Sequence, residues 1–374
     1  MTKEQFALLH LIRLAIDNEA EPLFPFDGID WKMVIDLSFE QGVAAIAVDG
    51  LQRLYDEIAD QVRNDALEQL DSPSLEDLKY EWFGSVMENE TTYENHREVI
   101  SKLSGFYKRY DVYMMILKGY GLSLNYPVPS HRPSGDIDIY LFGKQEDADK
   151  WIAKELNVEV DNSEHKHSVF NFGGIHIENH YDILNVYSHK TNAYLDNLLK
   201  RMASEESIQN DVEGKKVYLP SPNFNALYLL RHTSAHLSGT EIKLRHLLDW
   251  GTFVRRYGSE VDWEMVEQEA QKAGMLEFYK IQNWLCWKYF GFDKSLFAAV
   301  DCNEALADRV LNDILSPECQ DIRPRGVVRY IWHRYKFWKA NIWKHKLAYA
   351  NENIISMFLV QAWSHLLKPA SLKN

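Results

Sequence analysis

The hydrophobic period of the chain changes twice. From Glu4 to about Tyr110, apolar residues recur every three or four positions, as in Phe6, Leu9, Ile12 and Ile16 and again in Leu51, Leu54, Ile58 and Val62, a spacing that predicts amphipathic helices. Between about 112 and 220 the runs shorten and become β-rich: Tyr113 to Leu117, Ile137 to Phe142, Val169 to Phe172 and Ile175 to Ile183, separated by Gly and Pro. One helical interval, Gln145 to Leu156, fits between the second and third runs as their crossover. From Pro222 the helical period returns in Phe224, Leu227 and Leu230, then in Leu244, Leu247, Leu248, Phe253 and Val254. The expected class is α+β, with a helical N-terminal region over 1–110, a small mixed β-sheet core over 111–220 and a helical C-terminal domain over 221–374. With no internal repeat or low-complexity linker, these parts are expected to pack into one body.

Composition narrows the picture. A chain of 374 residues that is 46% hydrophobic and 26% charged builds a substantial core and is neither disordered nor fibrous. Forty-one basic against fifty-five acidic residues give a net charge of −14, which argues against a surface built wholly to attract nucleic acid. Residues 49–100 alone hold fourteen acids and four bases, read as a solvated helical face. Three cysteines, Cys286, Cys302 and Cys319, form no short-spaced pairs and fit ordinary core thiols in a reducing compartment. The first apolar stretch is broken by His10, Arg13 and Asp17, unlike a secretory signal, so a cytoplasmic location is expected. The late apolar segment Ile354 to Leu367 falls short of the ~20 residues needed to span a bilayer and reads as a buried or interfacial helix.

The chemistry concentrates around Leu117-Lys118-Gly119 and the later run Arg132-Pro133-Ser134-Gly135-Asp136-Ile137-Asp138-Ile139-Tyr140. In a strand, the period of two sends Asp136 and Asp138 to one face and Ile137 and Ile139 to the other. Two carboxylates aimed at one point suit Mg²⁺ or Mn²⁺, and a pair of such ions holds the attacking and leaving oxygens of a phosphoryl displacement. A second strand, Ile175-His176-Ile177-Glu178-Asn179-His180, supplies Glu178 as third carboxylate if it lies beside the first. Gly119 lets backbone N–H groups approach a triphosphate, while Lys118 and Arg132 are placed to neutralise its oxygens.

With these motifs, and with Leu8 to Ile12, Asp30-Trp31, Gln41-Gly42-Val43, Tyr126-Pro127, His236, Arg245 and Asp249, the chain resembles the uncharacterised nucleotidyltransferase family, related to the polymerase-β-type minimal nucleotidyltransferases. The resemblance extends along most of the chain. It implies transfer of a nucleoside monophosphate from a nucleoside triphosphate to a hydroxyl acceptor, with release of pyrophosphate. By the same resemblance, Asp136 and Asp138 are metal ligands, Glu178 is the third acid, and Lys118, Gly119, Arg132 and Ser134 contact the nucleotide. His180, His236, Arg245 and Asp249 are accessory candidates. One departure is plain: the superfamily's turn is Gly-Ser or Gly-Gly close to the acids, whereas Gly119 precedes Tyr120 and lies seventeen positions before Asp136. The fold leaves the acceptor open among RNA, protein and small molecules.

Other residues carry alternatives. His176, Glu178 and His180 share a strand face, and His165 with His167 repeats the spacing, a pattern compatible with a transition-metal hydrolase although not the H-E-x-x-H helix. His232 and His236 share a helix face ahead of Arg245 and Asp249, as a buried network between two helices or as a wall of the nucleotide cleft. Residues 323–346 hold Arg323, Arg325, Arg329, Arg334, Lys336, Lys339, Lys344 and Lys346 among aromatic residues, without one acid. They read as an amphipathic helix packing Val328, Ile331, Trp332, Tyr335 and Ile342 inward, with an anionic polymer or an anionic membrane surface as alternative partners. The competing functional class is a nucleotide- or RNA-binding module that keeps the fold without the chemistry.

Overall fold

The computed structural model describes residues 1–17, 20, 28–60, 73–187, 189–239, 241–317 and 326–353. Four helices come first: α1 (Lys3–Ile16), α2 (Trp31–Glu40), α3 (Ala44–Asp60) and the long α4 (Pro73–Lys108). The chain starts α1 with a capping box, in which Thr2 accepts from the Gln5 N–H and the Gln5 side chain accepts from the Thr2 N–H. In α1, Leu9, Ile12 and Ile16 are buried as their spacing requires, but Phe6 is 45% exposed. The buried arc, centred on Leu8, Leu11 and Ile12, leaves that position outside.

Seven strands follow among the described residues: β1 (Met115–Ile116), β2 (Asp136–Tyr140), β3 (Val160–Asp161), β4 (His167–Phe172), β5 (Ile175–His180), β6 (Ile208–Val212) and β7 (Lys215–Leu219). They form one mixed sheet in the order β3-β4-β5-β2-β1-β7-β6. Between them lie the short α5 (Tyr120–Ser123), then α6 (Gln145–Leu156) and α7 (Lys190–Glu206). The expected crossover helix is α6, with the bounds its sequence pattern suggests. It leads to the edge strand β3, and the chain returns through the β3–β4–β5 meander to lay β5 parallel to β2.

Helices α8 (Pro222–Gly239), α9 (Leu244–Tyr257), α10 (Trp263–Lys272), α11 (Leu276–Phe290), α12 (Glu304–Leu315) and α13 (Val327–Ala348) complete the described chain. N-terminal and C-terminal helices share a core: Leu8, Leu11 and Leu51 belong to the same buried cluster as Leu247, Trp250 and Phe278. A second core lies on the other face of the sheet, where Ile137, Ile139 and Ile177 meet Ile100, Leu103 and Tyr107 of α4 and Ile152 of α6. The opposite face of β2 and β5 is turned towards α8 and α9. Thus one sheet face is anchored by apolar packing while the other carries its polar side chains into the interior.

Several expectations change. Trp332 and Tyr335 of α13 are exposed, at 58% and 49%, because the inward face of that helix is set by Phe337, Asn341, Lys344 and Leu347. Lys344 is buried against Asp313 as an ion pair, so part of the basic segment is internal. Glu88, Glu90, Glu94 and Glu98 of α4 are exposed, in keeping with a solvated acidic face. Cys286 is fully buried and Cys302 partly so, both as free thiols. Cys319, Arg323, Arg325 and the Ile354 to Leu367 segment lie outside the described residues. Among those described, no helix is long and apolar enough to cross a membrane.

Ile177 has no exposed surface, pairs with Ile137 across the β2–β5 ladder and belongs to the same core cluster as Ile100 and Leu103 of α4. Its truncation to Ala is expected to cost ~2–5 kcal/mol through lost burial and a residual cavity, measured by urea unfolding.

Candidate active site

Three acids converge because of strand register. In the parallel β2–β5 pair, Asp136 lies opposite His176 and Asp138 opposite Glu178. Paired residues point to the same face, so the alternation that buries Ile137, Ile139 and Ile177 on one side sets Asp136, Asp138, Glu178 and His180 on the other. The nearest carboxylate oxygens of Asp136, Asp138 and Glu178 all lie within 4.8 Å of one another.

Such crowding in the interior requires compensating partners. Lys118 Nζ lies 2.8 Å from Asp138 Oδ1, and His180 Nε2 lies 2.8 Å from the same oxygen. Burial alone pushes the Asp138 carboxyl up, but Lys118 and His180 outweigh it and hold the group well below the ordinary carboxylate range. Burial likewise works against the Lys118 ammonium, yet Asp138 prevails and raises it. Glu178 is also held low against its own burial, first by His180.

The Gly119 turn closes the seventeen-residue gap in space. Gly119 has φ +47°, and a Cβ there would stand 2.8 Å from Ser134 Oγ and 3.4 Å from the Asp136 carbonyl oxygen. Both the left-handed backbone and the close approach call for glycine. Arg132 ties this loop down. Its Nε and Nη2 donate to the two oxygens of Asp249 at 2.7 and 2.8 Å, and Nη1 reaches the carbonyls of Gly119 and Pro133 at 3.3 and 3.2 Å. Tyr126 donates its hydroxyl to Asp249 Oδ1 at 2.8 Å. The Arg132 fork is therefore committed to the protein, and Asp249 is a loop brace reaching from α9. Arg245 donates to the Pro133 carbonyl at 3.2 Å and lines the same recess.

Two cavities meet at the acids. The smaller, about 200 Å³, is lined by Gly119, Ser134, Gly135, Asp138, Arg245 and His246. The larger, about 510 Å³, reaches from Glu178 and His167 to Trp338 of α13. Lys118, Asp136, His232 and His236 border both. The pair of helices carrying His232, His236, Arg245 and Asp249 thus walls the recess, and the network inside it runs from Asp249 to Arg132. Lys166, a residue that strand-pattern reasoning passed over between His165 and His167, lines the larger cavity, and burial lowers its ammonium pKa.

The histidines separate by position. His176 is exposed and stands outside the convergent group, and His165 packs on Tyr187 at 4.4 Å. His167 lies opposite His180 across the β4–β5 hairpin, and their ligand atoms with Glu178 form a second cluster within 4.8 Å. In the C-terminal helices, burial and then Lys118 lower His236 to about 4, while burial and then Arg245 lower His246 to about 3. Both start from an ordinary value of 6.5.

The His236 and His246 shifts predict an acid-sensitive fold. Below pH 6.5 the unfolded chain takes up protons that the native rings refuse. Stability is therefore complete above that pH and declines as pH falls towards 4, by up to ~1.4 kcal/mol per pH unit for each ring. Urea midpoints between pH 7 and 4.5 should show this slope, and His236→Gln/His246→Gln should flatten it. Asp249→Ala should cost ~3–5 kcal/mol by stranding the buried Arg132, whereas Arg245→Gln should cost far less in the same unfolding assay.

Residues 27–291 match the family model described as uncharacterised nucleotidyltransferase. No curated protein matches the chain. A solved structure titled as an antigenic nucleotidyltransferase-like protein from Paracoccidioides brasiliensis is similar at 12% identity and TM-score 0.37, over 56% of this chain and 95% of that one. Because the family model covers well over half of its length, the chain belongs to the uncharacterised nucleotidyltransferase family.

Proposed function

We propose that the protein transfers a nucleoside monophosphate from a nucleoside triphosphate to a hydroxyl acceptor and releases pyrophosphate. The observation that carries this reading is the set of three carboxylates in register on β2 and β5, beside a glycine turn and two cavities that meet at Asp136. Three convergent oxygen donors fit Mg²⁺ or Mn²⁺, which Asp136, Asp138 and Glu178 would hold. Bound there, such an ion would supply charge neutralisation for the triphosphate and a more acidic acceptor hydroxyl.

The protein's own groups position the reactants. The Gly119 turn and Ser134 border the phosphate recess, with Lys118 and Arg245 supplying charge towards the leaving pyrophosphate. Arg132 acts by bracing the turn through Asp249. The acceptor oxygen bonds to the α-phosphorus as the bond to the β-phosphate oxygen breaks, and the hydroxyl proton passes to Glu178 or to solvent. The two electrons of the broken bond leave with pyrophosphate.

Catalysis is tested by transfer of α-phosphate label from each of the four ribonucleoside triphosphates into RNA, protein and small-molecule fractions of a bacterial extract. Label that requires Mg²⁺ or Mn²⁺ is expected in one fraction, reduced more than about 100-fold in Asp136→Asn and in Asp138→Asn, with thermal melting establishing that each variant is folded. Wild-type turnover in either variant overturns the assignment. A second reading, nucleotide binding without transfer, draws on the engagement of Asp138 by both Lys118 and His180. It predicts triphosphate binding with no pyrophosphate release in any fraction.

A further inference from the structure

Glu178 belongs to two convergent groups: one made of oxygen donors with Asp136 and Asp138, the other with the imidazoles of His167 and His180. We propose that the second group, His167, Glu178 and His180, is a binding site for a divalent first-row transition ion such as Mn²⁺ or Zn²⁺, separate in ligand chemistry from the carboxylate site that it adjoins.

Spacing is the first argument. His167 Nδ1 and His180 Nε2 lie 3.4 and 3.3 Å from the same Glu178 oxygen. Bonds of about 2.0–2.1 Å to a tetrahedral ion place neighbouring ligand atoms about 3.3–3.4 Å apart. The His167 Nδ1 atom, in a residue only 9% exposed, makes no hydrogen bond, although it faces a carboxylate. A buried acceptor nitrogen left in that position lacks a partner that a cation provides.

Orientation is the second argument. The outward nitrogen of each ring faces an oxygen: His167 Nε2 lies 3.3 Å from Glu164 Oε2, and His180 Nδ1 lies 3.1 Å from the Asp182 carbonyl. Metal-bound histidines are commonly held in this way, with the far N–H given to a carboxylate or a backbone carbonyl so that the near lone pair points inward. His180 Nε2 also lies 2.8 Å from Asp138 Oδ1, a contact that an ion bound to this nitrogen would displace.

Ligand type then sets selectivity. Two imidazoles and a carboxylate favour transition ions over Mg²⁺, whereas the neighbouring carboxylates suit Mg²⁺. The shared Glu178 links the two sites. In the proposed transfer reaction the chain would thus combine chemically unlike ions on either side of one carboxylate, yet the metal site itself stands without that reaction.

The test uses the full-length protein and Mn²⁺ alone, without nucleotide. Pulsed electron paramagnetic resonance should show ¹⁴N coupling from coordinated imidazole, and calorimetric Mn²⁺ affinity should fall at least tenfold in His167→Leu and about tenfold or more in Glu164→Gln. Asp136→Asn should keep the nitrogen signal. Thermal melting establishes that each variant is folded, and Glu164→Gln serves if His167→Leu is not. Absence of ¹⁴N coupling in the wild-type protein overturns the site, as does unchanged Mn²⁺ affinity in both folded variants. Nitrogen coupling without nucleotidyl transfer would refute the proposed reaction and leave this site intact, while transfer without nitrogen coupling would do the reverse.

Discussion

Three carboxylates held within 4.8 Å of one another, one of them almost wholly buried, form the constraint around which the rest of the molecule is arranged. Like charges at such separation repel strongly in a medium of low polarisability, and each also loses its hydration. Lys118 and His180 answer both costs at Asp138, each at 2.8 Å. Neither comes from a position next to Asp138 in sequence: Lys118 follows β1 and His180 ends β5. The sheet order, with β2 between β1 and β5, brings both to the same carboxylate.

That order needs rigid support, because a one-residue slip of β5 would carry Glu178 to the apolar face and Ile177 into the polar one. The second hydrophobic core resists the slip by enclosing Ile137, Ile139 and Ile177 against α4 and α6. On the polar side, Arg132 and Asp249 perform the corresponding task for the loop that carries Ser134 and Gly135. Their paired hydrogen bonds run from that loop to α9, and the Arg132 contact with the Gly119 carbonyl joins the glycine turn to the same brace. A buried fork-to-carboxylate pair adds geometry more reliably than it adds stability. Here the geometry gained is the wall of the smaller cavity.

Local periodicity carried much of this arrangement. The alternation in Asp136 to Ile139 identifies both the polar and the buried face of β2, and the Gln145 to Leu156 pattern matches a helix with those bounds. Local pattern contains nothing about the Arg132–Asp249 pair, whose members are 117 positions apart. It also gives equal weight to His165, His167, His176 and His180, whereas the β4–β5 register selects His167 and His180. The same limit explains α13: Trp332 and Tyr335 have the composition of an inward face, but the helix is rotated by the contacts of Phe337, Asn341 and Lys344, and aromatic side chains are left outside. Gly119 and Asp136, distant in sequence, become neighbours through the antiparallel β1–β2 register, which the Leu117 N–H extends by donating to the Asp138 carbonyl, and the loop that Arg132 secures spans the gap between them.

The two cavities give this scaffold its chemical asymmetry. Both border Lys118 and Asp136, but Asp138 faces the smaller and Glu178 the larger. In the proposed transfer, a leaving pyrophosphate and an incoming hydroxyl must occupy opposite sides of the α-phosphorus. The smaller cavity, with its glycine turn and Arg245, suits the polyphosphate; the larger, beside Glu178, suits the acceptor. Asp136 at their junction then stands where bond making and bond breaking meet. In that proposal the acceptor's chemistry would be read by the wall that runs from Lys166 to Trp338, while the carboxylates on β2 and β5 would serve the transfer itself.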